Sequence, residues 1–132
     1  MSYRVVFAEL ALLDLDSASE YIKIKLCNML AAERLVERFF SEAGSLDFFP
    51  TRFPLCKDKI LRTWGIRFVP VGKYLLFYVV KEEEQTVYVI RFLYSRRDWQ
   101  KILWEQIEND NGAYSTAFTT NYIQEETEKY NQ

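Results

Sequence analysis

The sequence predicts one α+β domain with the element order β-α-α-β-β-β-α and a C-terminal helical tail. Two antiparallel helices are expected on one face of a four-stranded, mainly antiparallel sheet. Three observations lead there. The hydrophobic period is 3.6 over residues 10–46 and changes to 2 over residues 61–94. Pro and Gly punctuate the second stretch and are almost absent from the first. The 132 residues are 49% apolar and 17% aromatic, with four Gly and three Pro, enough to close one core without disulfide or metal staples.

Residues 3–8 are short and rich in β-formers, and read as the first strand. Over residues 10–26, Leu15, Ala18, Ile22 and Leu26 recur at i+3 and i+4 steps and make one helical stripe. Residues 30–46 repeat the pattern more strongly: Ala32, Leu35, Val36, Phe39, Phe40 and Ala43 lie on one face, opposite Glu33, Arg34, Glu37 and Arg38. Pro50 and Pro54 deny helix and central strand to residues 49–58, which read as a loop. Residues 61–69, 73–81 and 86–94 then form a meander, broken by Pro70-Val71-Gly72 and by residues 82–85. Ser95 is the expected N-cap of a last helix over residues 96–108, with Asp98 completing a capping-box variant. The cluster Asn109-Asp110-Asn111-Gly112 ends that pattern, and divides the chain into a domain of residues 1–108 and a tail of residues 109–132.

Composition narrows function. Histidine is absent, which removes His-based triads, His zinc sites and the usual neutral-pH general base. Cys27 and Cys56 stand 29 positions apart with no second ligand at a zinc-like spacing, so reduced thiols and no metal are expected. The longest uncharged apolar run, residues 74–80, is far short of the roughly 18 residues a spanning helix needs. With no secretory signal at the N-terminus, a cytoplasmic protein with no membrane partner is expected. The net charge of −2 is divided: residues 1–104 carry 16 Lys and Arg against 13 Asp and Glu, and residues 105–132 one Lys against six acids. On strand alternation, Trp64, Ile66, Phe68, Tyr88, Ile90 and Phe92 pack inward, while Arg67 and Arg91 project together from an uncovered face. There they serve either a target or nucleic acid, or are simply solubilising or ion-paired.

The order of elements and several strings together resemble the RelE/ParE family of toxins from bacterial type II toxin-antitoxin modules, the plasmid-stabilisation type. The strings are Tyr3-Arg4-Val5-Val6, Ala31-Ala32, Phe49-Pro50, Gly65-Ile66-Arg67, the run Val71-Gly72-Lys73-Tyr74-Leu75-Leu76-Phe77-Tyr78, and the run from Val89 through Tyr94-Ser95-Arg96-Arg97-Asp98 to Trp99. The resemblance covers residues 3 to 104 and implies a growth inhibitor neutralised by a cognate antitoxin protein, with no cofactor. Within the family, ParE-like members bind DNA gyrase without cutting, and RelE-like members are mRNA interferases that cut mRNA on the ribosome.

Carried over residue by residue, Arg67 falls where RNA-cutting members place a basic residue, and Arg96 or Arg97 near a second one. Their further arginine, just after an aromatic residue in the third strand, is here Leu75, which follows Tyr74. Their late acid is also missing, since the last helix reads Gln100-Lys101-Ile102 and only Tyr94 offers a nearby phenol. The resemblance therefore favours ParE-like gyrase inhibition, in which Arg67, Arg91, Arg96 and Arg97 would contact the target; as an RNase the chain would rely on Arg67, Arg96 and Tyr94. Residues 105–132 are extra relative to the family. Tyr114, Phe118, Tyr122 and Ile123 can anchor this tail, with residues 121–130 as a short helix carrying Glu125, Glu126 and Glu128. It would serve as a self-inhibiting or detoxifying segment, a homodimer contact or a structural element.

Overall fold

The computed structural model describes residues 2–109 and 122–123. Strand β1 (Arg4–Ala8) buries Val5, Val6, Phe7 and Ala8 in succession, so both of its faces are covered. Helix α1 (Glu9–Glu20) follows without a loop and buries Ala11, Leu15 and Ala18. The 3.6 period ends at Glu20, earlier than expected, and Tyr21–Lys25 form a π-helical turn closed by Leu26 N–H on the Tyr21 carbonyl at 3.3 Å. The wider turn swings the stripe outward. Leu26, expected in the core, is 57% exposed, beside exposed Tyr21 and Ile24. Cys27 reverses the chain in the left-handed region at φ 49°. Asn28 then starts helix α2 (Met29–Gly44), its Oδ1 accepting from Ala31 N–H at 3.0 Å.

The strand expected over residues 61–69 is helical in its first half. Asp58 Oδ1 accepts from Ile60 and Leu61 N–H at 3.0 and 3.1 Å and caps helix α3 (Lys59–Thr63), which Gly65 ends at φ 75°. Trp64 is therefore the C-cap of a helix, half-buried, rather than an inward strand residue. Strand β2 (Arg67–Val71) runs through Pro70, expected in a turn, because β2 is an edge strand and its missing N–H costs no ladder bond. Gly72 at φ 60° and Lys73 make the two-residue turn into β3 (Tyr74–Lys81), which pairs antiparallel with β4 (Thr86–Tyr94). The last helix starts later than expected. Ser95 N–H extends the hairpin to the Lys73 carbonyl at 2.9 Å, Arg97 N–H turns back on Tyr94, and Asp98 caps α4 (Trp99–Asn109) by accepting from Lys101 N–H at 3.3 Å.

The sheet order is β2-β3-β4-β1-β5, with β1 parallel to β4 and the final strand β5 (Tyr122–Ile123) antiparallel to β1. Tyr122 and Ile123, expected in a helix, thus lie in a strand, whereas Tyr114, Phe118, Glu125 and Glu126 lie outside the described residues. Helix α2 packs on one face, where Phe39 meets Phe92, Phe40 and Phe7 at ring separations of 4.9, 5.0 and 5.6 Å. The other face is not open as expected: α4 lies on it, with Trp99 5.1 Å from the Phe77 ring and Leu103 and Ile107 buried. Ile66, Tyr88, Ile90 and Phe92 are buried as expected, and Phe68 is half-buried. Among the described residues no helix is long and apolar enough to cross a membrane.

Phe39 is fully buried at the centre of the aromatic cluster. Phe39→Ala is expected to cost about 3 to 5 kcal/mol of unfolding free energy in a denaturant titration, from lost burial and the cavity left behind.

Candidate target-binding groove

Strand β1 pairs with β4 only as far as Phe7 opposite Val89, and α1 takes its place beside the rest of β4. Asp14 of α1 supplies what a strand would have: its Oδ2 accepts the Phe92 N–H at 2.9 Å. The same carboxylate holds Arg91 through two bonds, Nε to Oδ2 at 2.7 Å and Nη2 to Oδ1 at 2.9 Å, and Arg91 Nη1 donates to Gln106 of α4 at 3.2 Å. Both side chains are only 14% exposed. Arg91 therefore joins α1, β4 and α4 instead of projecting into solvent.

Arg67 is committed too. Its Nη1 donates to the carbonyls of Phe53 at 2.6 Å and Thr51 at 3.2 Å, and beside it the buried Tyr78 hydroxyl donates to the Pro50 carbonyl at 2.6 Å. Burial pushes the Tyr78 phenol up to about 12, against the opposing pull of Arg67 and Arg52. Arg52, which sequence reasoning passed over, gathers the same loop by donating to the carbonyls of Phe48, Phe49 and Ser45. The expectation that Arg67 and Arg91 share a face fails on register. Arg67 lies opposite Tyr78 and so in line with Val89, whereas Arg91 lies opposite Phe77 and so in line with Phe68. Adjacent rows face opposite sides of a sheet.

The other predicted residues meet elsewhere. Tyr94 and Arg97 line a groove of about 620 Å³ between the helical hairpin and the end of the sheet. Ser17, Ala18, Tyr21, Ile22 and Leu26 form one wall; Lys73, Tyr74 and Phe92 form the other. The β2–β3 turn sets Tyr74 opposite Tyr94, and its ring stacks on Phe92 at 5.1 Å and 16° and meets Tyr94 edge-on at 5.5 Å. Burial first, and then the neighbouring Tyr94 and Tyr21 phenols, raise the Tyr74 pKa above the ordinary phenol value. Lys73 and Arg97 are exposed, and Arg96 is exposed in the same turn as Arg97. The groove is thus an aromatic slot with cations at its mouth.

Lys73 and Tyr21 were missed as site residues. Lys73 carries a signal, as a cation in a Gly-started two-residue turn, but the π-helical turn that delivers Tyr21 has none. Leu75 is 9% exposed, paired with Pro70 and Leu93 in the core. Among the described residues no group of three His, Cys, Asp or Glu side chains converges to hold a metal ion.

Removing the Asp14 carboxylate strands Arg91 and the Phe92 N–H together. Asp14→Ala is expected to lower stability by about 3 kcal/mol, and Asp14→Asn by less, because the amide oxygen still accepts; paired denaturant titrations check this. The thiols are expected to divide as well. Cys56 is buried, and burial, with Asp58 adding, pushes its pKa up to about 11, whereas Cys27 is exposed. At pH 8 a thiol-alkylating reagent should modify Cys27 alone in the native protein and both residues in denaturant, as read by mass spectrometry.

Residues 5–99 match the family model described as the ParE toxin of the type II toxin-antitoxin system parDE. No curated protein sequence matches the chain. Among solved structures, a chain from a chromosomal ParDE TA system of P. aeruginosa aligns with 14% identity and a TM-score of 0.58, over 70% of this chain and 96% of that one. The archaeal RelE–RelB complex from Pyrococcus horikoshii OT3 aligns with 17% identity and a TM-score of 0.50, over 74% of this chain and 99% of that chain. These structures share the fold; the family match extends over most of the domain, and the chain belongs to the ParE toxin family, as the toxin of a type II toxin-antitoxin system.

Proposed function

We propose that this toxin inhibits growth by binding its target rather than by cutting RNA, with DNA gyrase as the target, and that a cognate antitoxin neutralises it. The observation that carries the reading is the state of the cations. Phosphoryl cleavage needs guanidinium or ammonium groups free to meet developing charge, and here Arg67 is spent on loop carbonyls and Arg91 on Asp14. Leu75, in the position of a further arginine, is packed in the core. The groove has instead the composition of a protein-binding site: Tyr21, Tyr74, Tyr94 and Phe92 give rigid aromatic surface, and Lys73 and Arg97 a cationic rim. An acidic amphipathic segment is the complement of such a surface, and the ParE family model and the likeness to a ParDE structure support an antitoxin as one such partner.

One observation favours the RelE-like alternative. Tyr94, Arg96 and Arg97 stand within one turn, a phenol beside two exposed guanidiniums. Induced expression separates the two readings. Gyrase inhibition predicts a DNA-damage response and filamentous cells while amino-acid incorporation continues, and purified gyrase accumulating cleaved DNA in the presence of the toxin. The double substitution Lys73→Glu with Arg97→Glu should reduce toxicity at least about tenfold, the loss expected from replacing two rim cations by like charges facing an acidic partner. Codon-aligned mRNA cleavage on programmed ribosomes, lost in Tyr94→Phe, is the result that would replace this reading by the other.

A further inference from the structure

Helix α1 and the turn that follows it carry two stripes. Ala11, Leu15 and Ala18 face the core. On the other side Leu10, Leu13, Ser17, Tyr21 and Ile24 follow one another at steps of 3, 4, 4 and 3, the spacing that keeps residues on one helical face. All five are exposed, the four apolar ones by 43, 53, 52 and 61%. Half-exposed side chains of this size leave on the order of 100 Å² each, so this stripe alone rivals the largest apolar patch of an ordinary monomer, roughly 300–600 Å².

Two features select the occupant. The steps read the same in both directions from Ser17, so a two-fold axis at Ser17 sets Leu10 against the partner's Ile24 and Leu13 against the partner's Tyr21. An antiparallel pair of copies thus opposes large side chains to large ones, and puts the smallest where the helix axes come closest. Charge follows the same symmetry. Residues 9–20 carry Glu9, Asp14, Asp16 and Glu20 and no base, whereas residues 21–25 carry Lys23 and Lys25 and no acid. Lys23 pairs with Glu20 of its own helix at 3.4 Å. Glu9 and Lys25 stand eight positions to either side of Ser17, so the same axis brings each Glu9 opposite the partner's Lys25. An acidic segment suited to the cationic rim of the groove meets like charge along residues 9–20 instead.

We propose that the exposed face of α1 is a self-recognition surface, on which a second copy of this chain packs its own α1 antiparallel about Ser17. The contact is isologous, so it closes as a dimer and does not propagate. Because Ser17 and Tyr21 also line the groove, the pairing covers the α1 wall of the groove. Doubled across the axis, the stripe gives an interface at the small end of the specific range, so the dimer is weak and concentration-dependent. This inference does not rest on the gyrase reading, and its test involves no target.

Sedimentation equilibrium of the full chain should show a monomer–dimer equilibrium with a Kd in the micromolar range. Leu13→Glu should raise that Kd at least about tenfold while leaving the far-UV spectrum unchanged, and Leu10→Gln serves as a second variant if the first fails to fold. Glu9→Lys should raise it about fivefold, since each dimer holds that contact twice, and adding Lys25→Glu to the same chain should restore it. Within one chain these two residues are about 24 Å apart along the helix, so restoration reports a contact between copies. In a Cys27→Ser background, Ser17→Cys should form an intermolecular disulfide under mild oxidation, and Glu37→Cys, exposed on α2, should not. A chain that stays monomeric up to about 1 mM overturns the proposal. So does a dimer indifferent to Leu13→Glu and Leu10→Gln, a failure of Lys25→Glu to restore pairing, or cross-linking no faster through residue 17 than through residue 37.

Discussion

The Asp14 carboxylate decides how this sheet ends. A parallel strand of five residues cannot flank a strand of nine along its whole length, and the uncovered part of β4 carries N–H groups in the apolar centre of the domain. A helix flanking a strand cannot satisfy those groups with its backbone, because its own N–H and C=O groups are used internally. One carboxylate does it instead, taking the Phe92 N–H and the Arg91 guanidinium together. Because Arg91 continues to Gln106, the same contact fixes α4 on the opposite face. The helical hairpin, the sheet and the C-terminal helix therefore share one electrostatic junction.

That junction also explains the character of the groove. Asp14 and Phe92 both line it, so the junction anchors its walls, while its rim is made from two turns, Gly72-Lys73 and residues 95–97. Fixed aromatics below and exposed cations above suit recognition in which apolar contacts set affinity and charge sets the rate of encounter. Arg67 and Arg91 are bonded into the scaffold below that surface, to loop carbonyls and to Asp14, which residue type alone does not reveal.

Much of the fold is legible in the sequence. The hairpin helices follow from Leu15, Ala18, Leu35, Phe39 and Ala43 at helical spacing, and β4 from an unbroken β-forming run between Gln85 and Ser95. The strand expected over residues 61–69 fails because Leu61 to Trp64 is too short to distinguish the two periods. The Asp58 cap and the Gly65 stop, both visible in the sequence, decide for helix. The site is less legible than the fold. Whether Arg67 and Arg91 share a face depends on how β3 pairs with each neighbour, including a register shift between Phe77 and Tyr78, and alternation within a strand says nothing of that. The π-helical turn is a backbone accommodation that no residue type marks.

The parallel pairing of β1 with β4 also orders events during synthesis. Arg4 waits for Thr86, and Asp14 for Arg91, 77 positions later. The α1–α2 hairpin can form from local contacts as it emerges, but the sheet closes only after β4 has left the ribosome. A chain interrupted before that point has neither a completed core nor the Tyr74–Tyr94 side of its groove. This topology therefore ties the groove to completion of the chain: both of its walls and the junction that anchors them exist only once residues 86–94 have been made.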